Sequence, residues 1–350
     1  MTEFQIIRIL VLSTLAFVFT MAWTPLWTKF LYKYKMGKQI RNTGATPVFS
    51  ALHAAKSGTP TMGGVLIWGT VLIFSFLFYY LSLIFPKTAL ANFNFLSRPE
   101  TYLPLGALVA SALVGLFDDW LDVRGKGVKG GGGLNIKHRL LIYTAIAAIG
   151  AWWFHYKLLW EHFSIPFVGT FQLGPWYLLI FIFVIVATSF SVNESDGLDG
   201  LAGGVLLTCF SSYAVIGFVL GHYHLAAFCG VIVGALLAFL WFNITPARFY
   251  LGDTGSMSLG VTLGVIAMLT DTAMILPVIG LVFVIETLSV IIQLTSKKLR
   301  HGKKVFLSAP IHHHLEAIGW SEAKIVMRFW VIAGVCGALG LALFILDKLY

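Results

Sequence analysis

The chain alternates long apolar runs with short polar segments. Most of the apolar runs are about 20 residues long, the length that a helix needs to cross a hydrocarbon core about 30 Å thick. Ten such runs can be separated: 5–28, 63–85, 102–121, 140–156, 174–191, 198–219, 223–243, 255–270, 273–295 and 327–346. We therefore predict an all-α, polytopic membrane protein with about ten transmembrane helices, organised as one domain over residues 1–350.

The composition excludes a soluble enzyme. Hydrophobic residues make up 58% of the chain and charged residues 11%, against roughly 25% charged in soluble domains. The net charge of +9 does not predict nucleic-acid binding, because membrane topology accounts for the basic residues. Cys209, Cys229 and Cys336 lie inside apolar runs, far from any CxxC spacing, so we expect neither a disulfide nor a zinc site.

The distribution of basic residues predicts the orientation in the bilayer. With ten spans, 18 of the 24 Lys and Arg residues lie in or beside the loops of one side, and 3 lie in the loops of the other. Basic loops face the cytoplasm, so both termini are expected on the outer, periplasmic or extracellular side. The predicted cytoplasmic loops, about 31–62, 118–139, 191–198, 243–256 and 296–326, carry most of the candidate chemistry.

An acidic group ends the third apolar run. Asp118, Asp119 and Asp122 follow one another at a spacing that places Asp118 and Asp122 on one helical face. Adjacent carboxylates repel each other unless a cation holds them, and hard oxygen ligands suit Mg²⁺ together with substrate phosphates. The alternative is a solvated helix end. Three acids there would be a poor anchor against an anionic leaflet, so we favour the metal and phosphate site.

Two further acidic motifs precede apolar helices on the same side. The first contains Asn193, Asp196 and Asp199, whose polar groups could bind a uracil ring or sugar hydroxyls; helix capping is the alternative. The second contains Tyr250, Gly252 and Asp253. It lacks the Lys of a Walker A loop, so we interpret Asp253 as a metal ligand, with an ordinary N-cap as the alternative.

Basic and histidine-rich motifs also lie on the predicted cytoplasmic side. Lys56 and Thr61 precede the second run and suit an anionic substrate. His312, His313 and His314 are consecutive and cannot all point one way from a regular helix, so we favour contacts with phosphate over zinc binding. Glu286 stands in the middle of a span, where an ionisable residue needs a partner; we expect a structural pair.

Together the motifs resemble one family of membrane transferases. The specific parts are HxxKxGTPTMGG at His53–Gly64, the Asp118-Asp119 pair, DGLDGLA at Asp196–Ala202, GDTGS at Gly252–Ser256 and PIHHHLE at Pro310–Glu316. They are similar to the polyprenyl-phosphate N-acetylhexosamine-1-phosphate transferases and, among these, to the phospho-N-acetylmuramoyl-pentapeptide transferases of peptidoglycan synthesis. The resemblance implies a homodimer in the bacterial inner membrane. It also implies Mg²⁺-dependent transfer of phospho-MurNAc-pentapeptide from UDP-MurNAc-pentapeptide to undecaprenyl phosphate.

The resemblance also implies roles for individual residues. Asp118, Asp119, Asp253 and His313 would be catalytic, with Asp253 as Mg²⁺ ligand, Asp118 and Asp119 as further candidate ligands, and Asp118 as base or, alternatively, covalent nucleophile. We favour direct attack by the lipid phosphate. The implied substrate contacts are Lys56, Thr61, Lys137, Asn193, Asp196, Asp199, Asn243, Tyr250, Gly252, Gln293, His312 and His314.

Three departures from the family pattern keep a second interpretation open. Phe190 and Glu194 stand at positions where the family has other residues in the nucleoside pocket, and Asp122 replaces a basic residue. Asp122 makes the motif similar to the DDxxD of GlcNAc-1-phosphate transferases, which is the alternative function. A transporter with an acidic ion pathway is more remote, because only Glu286 lies deep in a span.

Overall fold

The computed structural model describes residues 2–37, 58–126 and 133–349. Its helices are α1 (Thr2–Lys33), α2 (Val65–Ile84), α3 (Tyr102–Val123), α4 (Ile136–Trp152), α5 (Tyr177–Glu194), α6 (Leu201–Val219), α7 (Tyr223–Asn243), α8 (Gly252–Leu269), α9 (Leu276–Ile279), α10 (Leu281–Leu299), α11 (Ile311–Ala317) and α12 (Glu322–Leu349). One hairpin, β1 (His162–Ile165) and β2 (Gly169–Gln172), pairs Phe163 with Phe171.

Nine of the ten predicted apolar runs each overlap one α-helix, and the ninth run, 273–295, overlaps two. Within the described ranges, eight helices are long and apolar enough to cross a membrane. The helices α4 and α10 are not among the eight, because α4 has only 17 residues and α10 carries Glu286, Lys297 and Lys298. The all-α, multi-pass class is thus confirmed, whereas the count of ten spans and the outward termini stay predictions.

Two segments differ from the predicted pattern. The ninth run is not one continuous helix: it divides at Gly280, where φ is −96° and ψ is 30°, into the short α9 and the long α10. The polar segment after α4 forms the unpredicted hairpin, and the Ser164 amide donates to Asp271 Oδ1 at 3.1 Å. Both features depend on tertiary contacts, which the pattern of hydrophobic residues does not predict.

The helix α8 lies at the centre of the structure. Every one of its residues is buried except Asp253, and it packs chiefly against α3 and α5. Small residues permit this close packing. A Cβ at Gly115 of α3 would lie 2.3 Å from the Asp253 carbonyl oxygen, and one at Gly260 of α8 would lie 2.8 Å from Ser189 Cα. The polar ends of α3, α5 and α8 therefore lie beside one another.

Candidate active site

Three carboxylates meet where α3 ends and α8 begins. Asp118 and Asp119 lie in the last turns of α3, and Asp253 lies in the first turn of α8. The Asp118 side chain is fully buried, Asp119 is 3% exposed and the Asp253 side chain is 16% exposed. Buried carboxylates need a compensating cation or hydrogen-bond donors, and each of the three finds different partners.

Asp119 holds the start of α8. Its Oδ1 accepts hydrogen bonds from Thr61 Oγ1 at 2.9 Å and from the Asp253 amide at 3.1 Å, while its Oδ2 accepts from the Thr254 amide at 3.0 Å. A carboxylate at a helix N-terminus satisfies unpaired amides and complements the helix dipole. Gly252 has φ +74°, and a Cβ there would lie 2.6 Å from Asp119 Oδ2. The glycine therefore permits the carboxylate to approach, and Asp119 has a clear structural role.

Arg139, which the sequence analysis did not select, bridges the other two carboxylates. Its Nε lies 2.8 Å from Asp118 Oδ2 and its Nη2 lies 2.7 Å from Asp253 Oδ2. Its Nη1 donates to Asn193 Oδ1 at 2.9 Å, and Asn193 Nδ2 donates to Asp253 Oδ1 at 2.6 Å. One cation and one amide therefore link the ends of α3, α4, α5 and α8.

Lys137 is the basic residue that sequence reasoning selected from this segment. It is exposed, whereas Arg139 is partly buried against the acids. Residues two positions apart on a helix do not share a face, so only one of the two can point at the cluster. The sequence shows two basic residues at the start of a predicted helix. It does not indicate which of them faces the acidic cluster.

The donor set of this acidic cluster fits Mg²⁺. Asp118 Oδ2 is buried and, despite its charge contact with Arg139, accepts no hydrogen bond within the described ranges. Asp253 offers a second carboxylate, and Mg²⁺ is commonly held by one or two carboxylates plus substrate phosphate oxygens. Among the residues described, no three His, Cys, Asp or Glu side chains form a group suited to a metal. The two carboxylates could hold part of the coordination sphere of an ion, and the binding of Mg²⁺ stays a prediction.

Asp196 and Tyr250 lie beside this cluster. Asp196 Oδ2 accepts from the Gly252 amide at 3.1 Å, one residue before Asp253. The Tyr250 amide donates to the Pro60 carbonyl, and the Gly63 amide donates to the Tyr250 carbonyl, both at 2.8 Å. These bonds fasten the segment that carries Thr61 to the start of α8, so the structure brings Thr61, Asn193, Asp196, Tyr250 and Gly252 together with the carboxylates.

Asp199 and Asn243 stabilise the loop between α7 and α8. Asp199 Oδ2 accepts from the Ala247 amide at 3.1 Å. Asn243 Oδ1 accepts from the Gly200 amide at 2.9 Å, and its Nδ2 donates to the Phe249 carbonyl at 2.8 Å. Both side chains are at most 5% exposed. Their contacts here are with the protein's own backbone, and the predicted substrate contacts stay predictions.

Gln293 has a similar position in the segment after α10. Its Oε1 accepts from the Val305 and Phe306 amides, each at 3.0 Å, and its Nε2 donates to the Phe306 carbonyl at 2.8 Å. The side chain is 4% exposed. These hydrogen bonds fix the path of the chain toward α11. The predicted contact of Gln293 with substrate stays a prediction.

The three consecutive histidines of α11 have three different partners. His312 Nδ1 lies 2.8 Å from Glu286 Oε2 and His313 Nδ1 lies 2.7 Å from Glu316 Oε2. His314 Nδ1 accepts from the Leu307 amide at 3.3 Å. The three imidazoles have different partners, as the helical spacing predicted. Glu286 has the buried partner that we expected for it. Lys56, the remaining predicted contact, lies outside the described residues.

Comparisons with known proteins identify the family. A family profile described as Glycosyl transferase family 4 matches residues 102–271, which include Asp118, Asp119 and Asp253. A second profile, phospho-N-acetylmuramoyl-pentapeptide-transferase signature 1, matches residues 56–67, which include Lys56 and Thr61.

Similar proteins extend over nearly the whole chain, and each is named phospho-N-acetylmuramoyl-pentapeptide-transferase. The one from Chloroflexus aggregans is 38% identical over 348 residues, which is 96% of this chain and 89% of the relative. The one from Anoxybacillus flavithermus is 40% identical over 336 residues, 95% of this chain and 97% of the relative. The one from Listeria innocua is 39% identical over 328 residues, 93% and 94% of the two chains.

The helical membrane fold, the acidic site and these matches define a multi-pass membrane phosphoglycosyl transferase. The chain belongs to the phospho-N-acetylmuramoyl-pentapeptide transferase family.

Proposed function

We propose that the protein transfers phospho-MurNAc-pentapeptide from UDP-MurNAc-pentapeptide to undecaprenyl phosphate, giving lipid I and UMP. The proposed setting is the bacterial inner membrane, with the site facing the cytoplasm and Mg²⁺ as cofactor. The observation that supports the proposal most directly is that Arg139 bridges Asp118 and Asp253 at the ends of apolar helices. The chain that carries this arrangement belongs to the transferase family named above. The basic loops on the same side support the cytoplasmic orientation.

The reaction requires mainly positioning and neutralisation of phosphate charge. An oxygen of the lipid phosphate forms a new bond to the sugar-bound phosphorus, and the bond from that phosphorus to the bridging oxygen breaks, so UMP leaves with the electron pair. A bound Mg²⁺ would supply positive charge to the phosphate oxygens. Asp118 is the proposed base: the Leu134 amide orients its Oδ1. Its Oδ2 lies 2.8 Å from Arg139 Nε and would take the proton of the lipid phosphate once the guanidinium has turned to a substrate phosphate.

Arg139 and Asn193 are the proposed positioning groups. The guanidinium fixes the separation of Asp118 and Asp253, and Asn193 Nδ2 fixes the Asp253 carboxylate from the other side. Asp253, with Asp118 as a further candidate ligand, would hold the Mg²⁺, and the guanidinium would then be available to a substrate phosphate. Arg is well suited to this because its planar fork binds phosphate through two nitrogens.

The proposed direct attack differs from a covalent route in one measurable way. If Asp118 were a nucleophile, the enzyme would release about one equivalent of UMP from the donor before any lipid phosphate is added. Direct attack requires the acceptor for the first turnover. We expect no acceptor-independent burst in a rapid-quench experiment, and a stoichiometric burst would contradict direct attack.

Donor choice tests the proposed function itself. Detergent-purified protein is supplied with undecaprenyl phosphate, Mg²⁺ and either UDP-MurNAc-pentapeptide or UDP-GlcNAc, and UMP release is measured with EDTA as control. We expect release with the muramoyl donor alone and none with EDTA. Release with UDP-GlcNAc would favour the GlcNAc-1-phosphate transferase, and no release with either donor would contradict both functions.

The homodimer is proposed from the family resemblance. Native mass spectrometry of the detergent-solubilised protein, with mild crosslinking in membranes as a second measurement, tests it. We expect a dimer mass in both. A monomer in both would overturn this part of the proposal without affecting the proposed reaction.

A further inference from the structure

A buried ion pair links α10 to α11. Glu286 Oε2 and His312 Nδ1 are 2.8 Å apart, and both residues are 0% exposed. Glu286 stands in the second turn of α10, directly after five apolar residues, where an unpaired carboxylate would be costly. A buried ion pair is weak evidence for a stabilising role, because hydrophobic residues of similar volume often stabilise as well. The pair therefore calls for a functional explanation.

The other nitrogen of His312 faces the segment next to the acidic cluster. Within the described ranges, His312 Nε2 is buried and has no hydrogen-bond partner. A Cβ at Gly197 would lie 2.2 Å from this nitrogen, so a side chain at that position would require the His312 ring to shift. Gly197 directly follows Asp196, whose carboxylate accepts from the Gly252 amide beside Asp253. The unpartnered nitrogen is thus directed at the segment that leads to the site.

Several charged groups surround the His312 ring. Glu286 comes from α10, Glu316 from α11 itself and Glu194 from the end of α5. The His313 ring lies with its centroid 4.0 Å away. Burial alone lowers the pKa of His312, but the charge and hydrogen bond of Glu286, followed by the charges of Glu316 and Glu194, outweigh burial, so the net pKa is raised. The cationic form has N–H groups on both nitrogens.

We infer that Glu286 is a positioning residue: it holds the His312 ring against the Gly197 segment, with Nε2 turned to that segment, so that the charge of the ring acts across the segment on the phosphates of the sugar-nucleotide donor. This inference rests on the proposed function. Glu286 touches no reacting atom and acts only through His312. The hydrogen bond that one ring nitrogen makes sets the protonation of the other, so Glu286 fixes both the orientation of the His312 ring and the proton on Nε2.

The first test does not depend on turnover. Protein labelled with ¹⁵N only in histidine is compared with the His312→Asn variant, whose missing signal assigns His312. We expect the titration midpoint of wild-type His312 to lie above that of an ordinary histidine. In Glu286→Gln the titration midpoint should fall by at least about one pH unit, since a charge at this distance typically shifts a pKa by 1–3 units.

The second test uses the donor kinetics. We expect Glu286→Gln to lower kcat/KM for the donor about 10-fold or more and to move the alkaline limb of the pH profile to lower pH. Glu286→Asp keeps the charge and should restore the position of that limb. Ser289→Ala is the matched control, because Ser289 is also buried on α10 and, among the residues that the structure describes, bonds only the Glu286 carbonyl of its own helix. Its pH profile should match that of the wild type.

The outcomes separate the two proposals. A wild-type His312 whose titration midpoint is not above that of an ordinary histidine would overturn the inference even if Glu286→Gln does not fold. A pH profile that keeps its shape in a folded Glu286→Gln variant would show a purely structural pair and would also overturn it. An inactive wild-type enzyme whose His312 has a raised titration midpoint would contradict the proposed function while leaving the buried pair as described.

Discussion

Replacing Arg139 with Ala should destabilise the protein by an amount that depends on Mg²⁺. The change removes both charge contacts, to Asp118 at 2.8 Å and to Asp253 at 2.7 Å. Asp118 is fully buried, so the variant leaves an uncompensated charge, which costs about 3–5 kcal/mol in proteins. At about 2 °C per kcal/mol for a chain of this size, the apparent Tm in EDTA should fall by roughly 6–10 °C.

Mg²⁺ should recover a large part of that loss. A ligand that binds only the folded state at 100 times its Kd stabilises it by about 2.7 kcal/mol, and in the variant the ion faces no competing guanidinium. Thermal unfolding followed by tryptophan fluorescence, in EDTA and in excess Mg²⁺, measures both values. Arg139→Lys is the control, since it keeps the charge but loses the planar fork. An equal fall of Tm with and without Mg²⁺ would refute a metal site between these carboxylates, and no fall at all would refute the bridging role of Arg139.

Three further predictions concern other residues of the site. Asp253→Asn should abolish Mg²⁺-dependent UMP release while the circular dichroism spectrum stays that of the wild type; near-normal activity would remove Asp253 from the metal site. Asp119→Asn should cost about 1–3 kcal/mol of stability, because its carboxylate satisfies two amides of α8 and one hydroxyl, and an unchanged Tm would contradict this capping role. Lys56→Ala should raise KM for the donor, and an unchanged KM would argue against a phosphate contact.

The features that sequence predicted are the local ones. Apolar runs define helices because burial in lipid depends on composition within about 20 residues, and the acids at the ends of those runs necessarily come to similar depths. The convergence of Asp118 and Asp253 could be expected for that reason. The same reasoning predicted that Glu286 has a partner, because a charge in the middle of a span needs compensation wherever its partner lies in the chain.

The features that sequence missed are set by tertiary neighbours. Arg139 and Lys137 have the same character and nearly the same position, and only the packing of α4 decides which one meets the acids. Likewise the polar groups of Asp199, Asn243 and Gln293 bind backbone of the protein's own loops. A polar residue beside a site has the same sequence signature whether it holds a loop or a substrate, so the predicted substrate contacts of these three residues stay predictions.

The close contact of α3 with α8 gives the sharpest test of how the fold positions the site. A Cβ at Gly115 would lie 2.3 Å from the Asp253 carbonyl oxygen and 2.6 Å from Thr254 Cα, whereas a Cβ at Gly106 of the same helix would meet nothing within 4 Å. Gly115→Ala must therefore move α3 away from the start of α8 and separate Asp118 from Asp253. A displacement of about 1 Å can cost about 100-fold in rate, so we expect UMP release per folded molecule to fall by that order. Gly106→Ala should retain wild-type activity. Wild-type turnover in Gly115→Ala would mean that the reaction does not depend on the contact between these two helices.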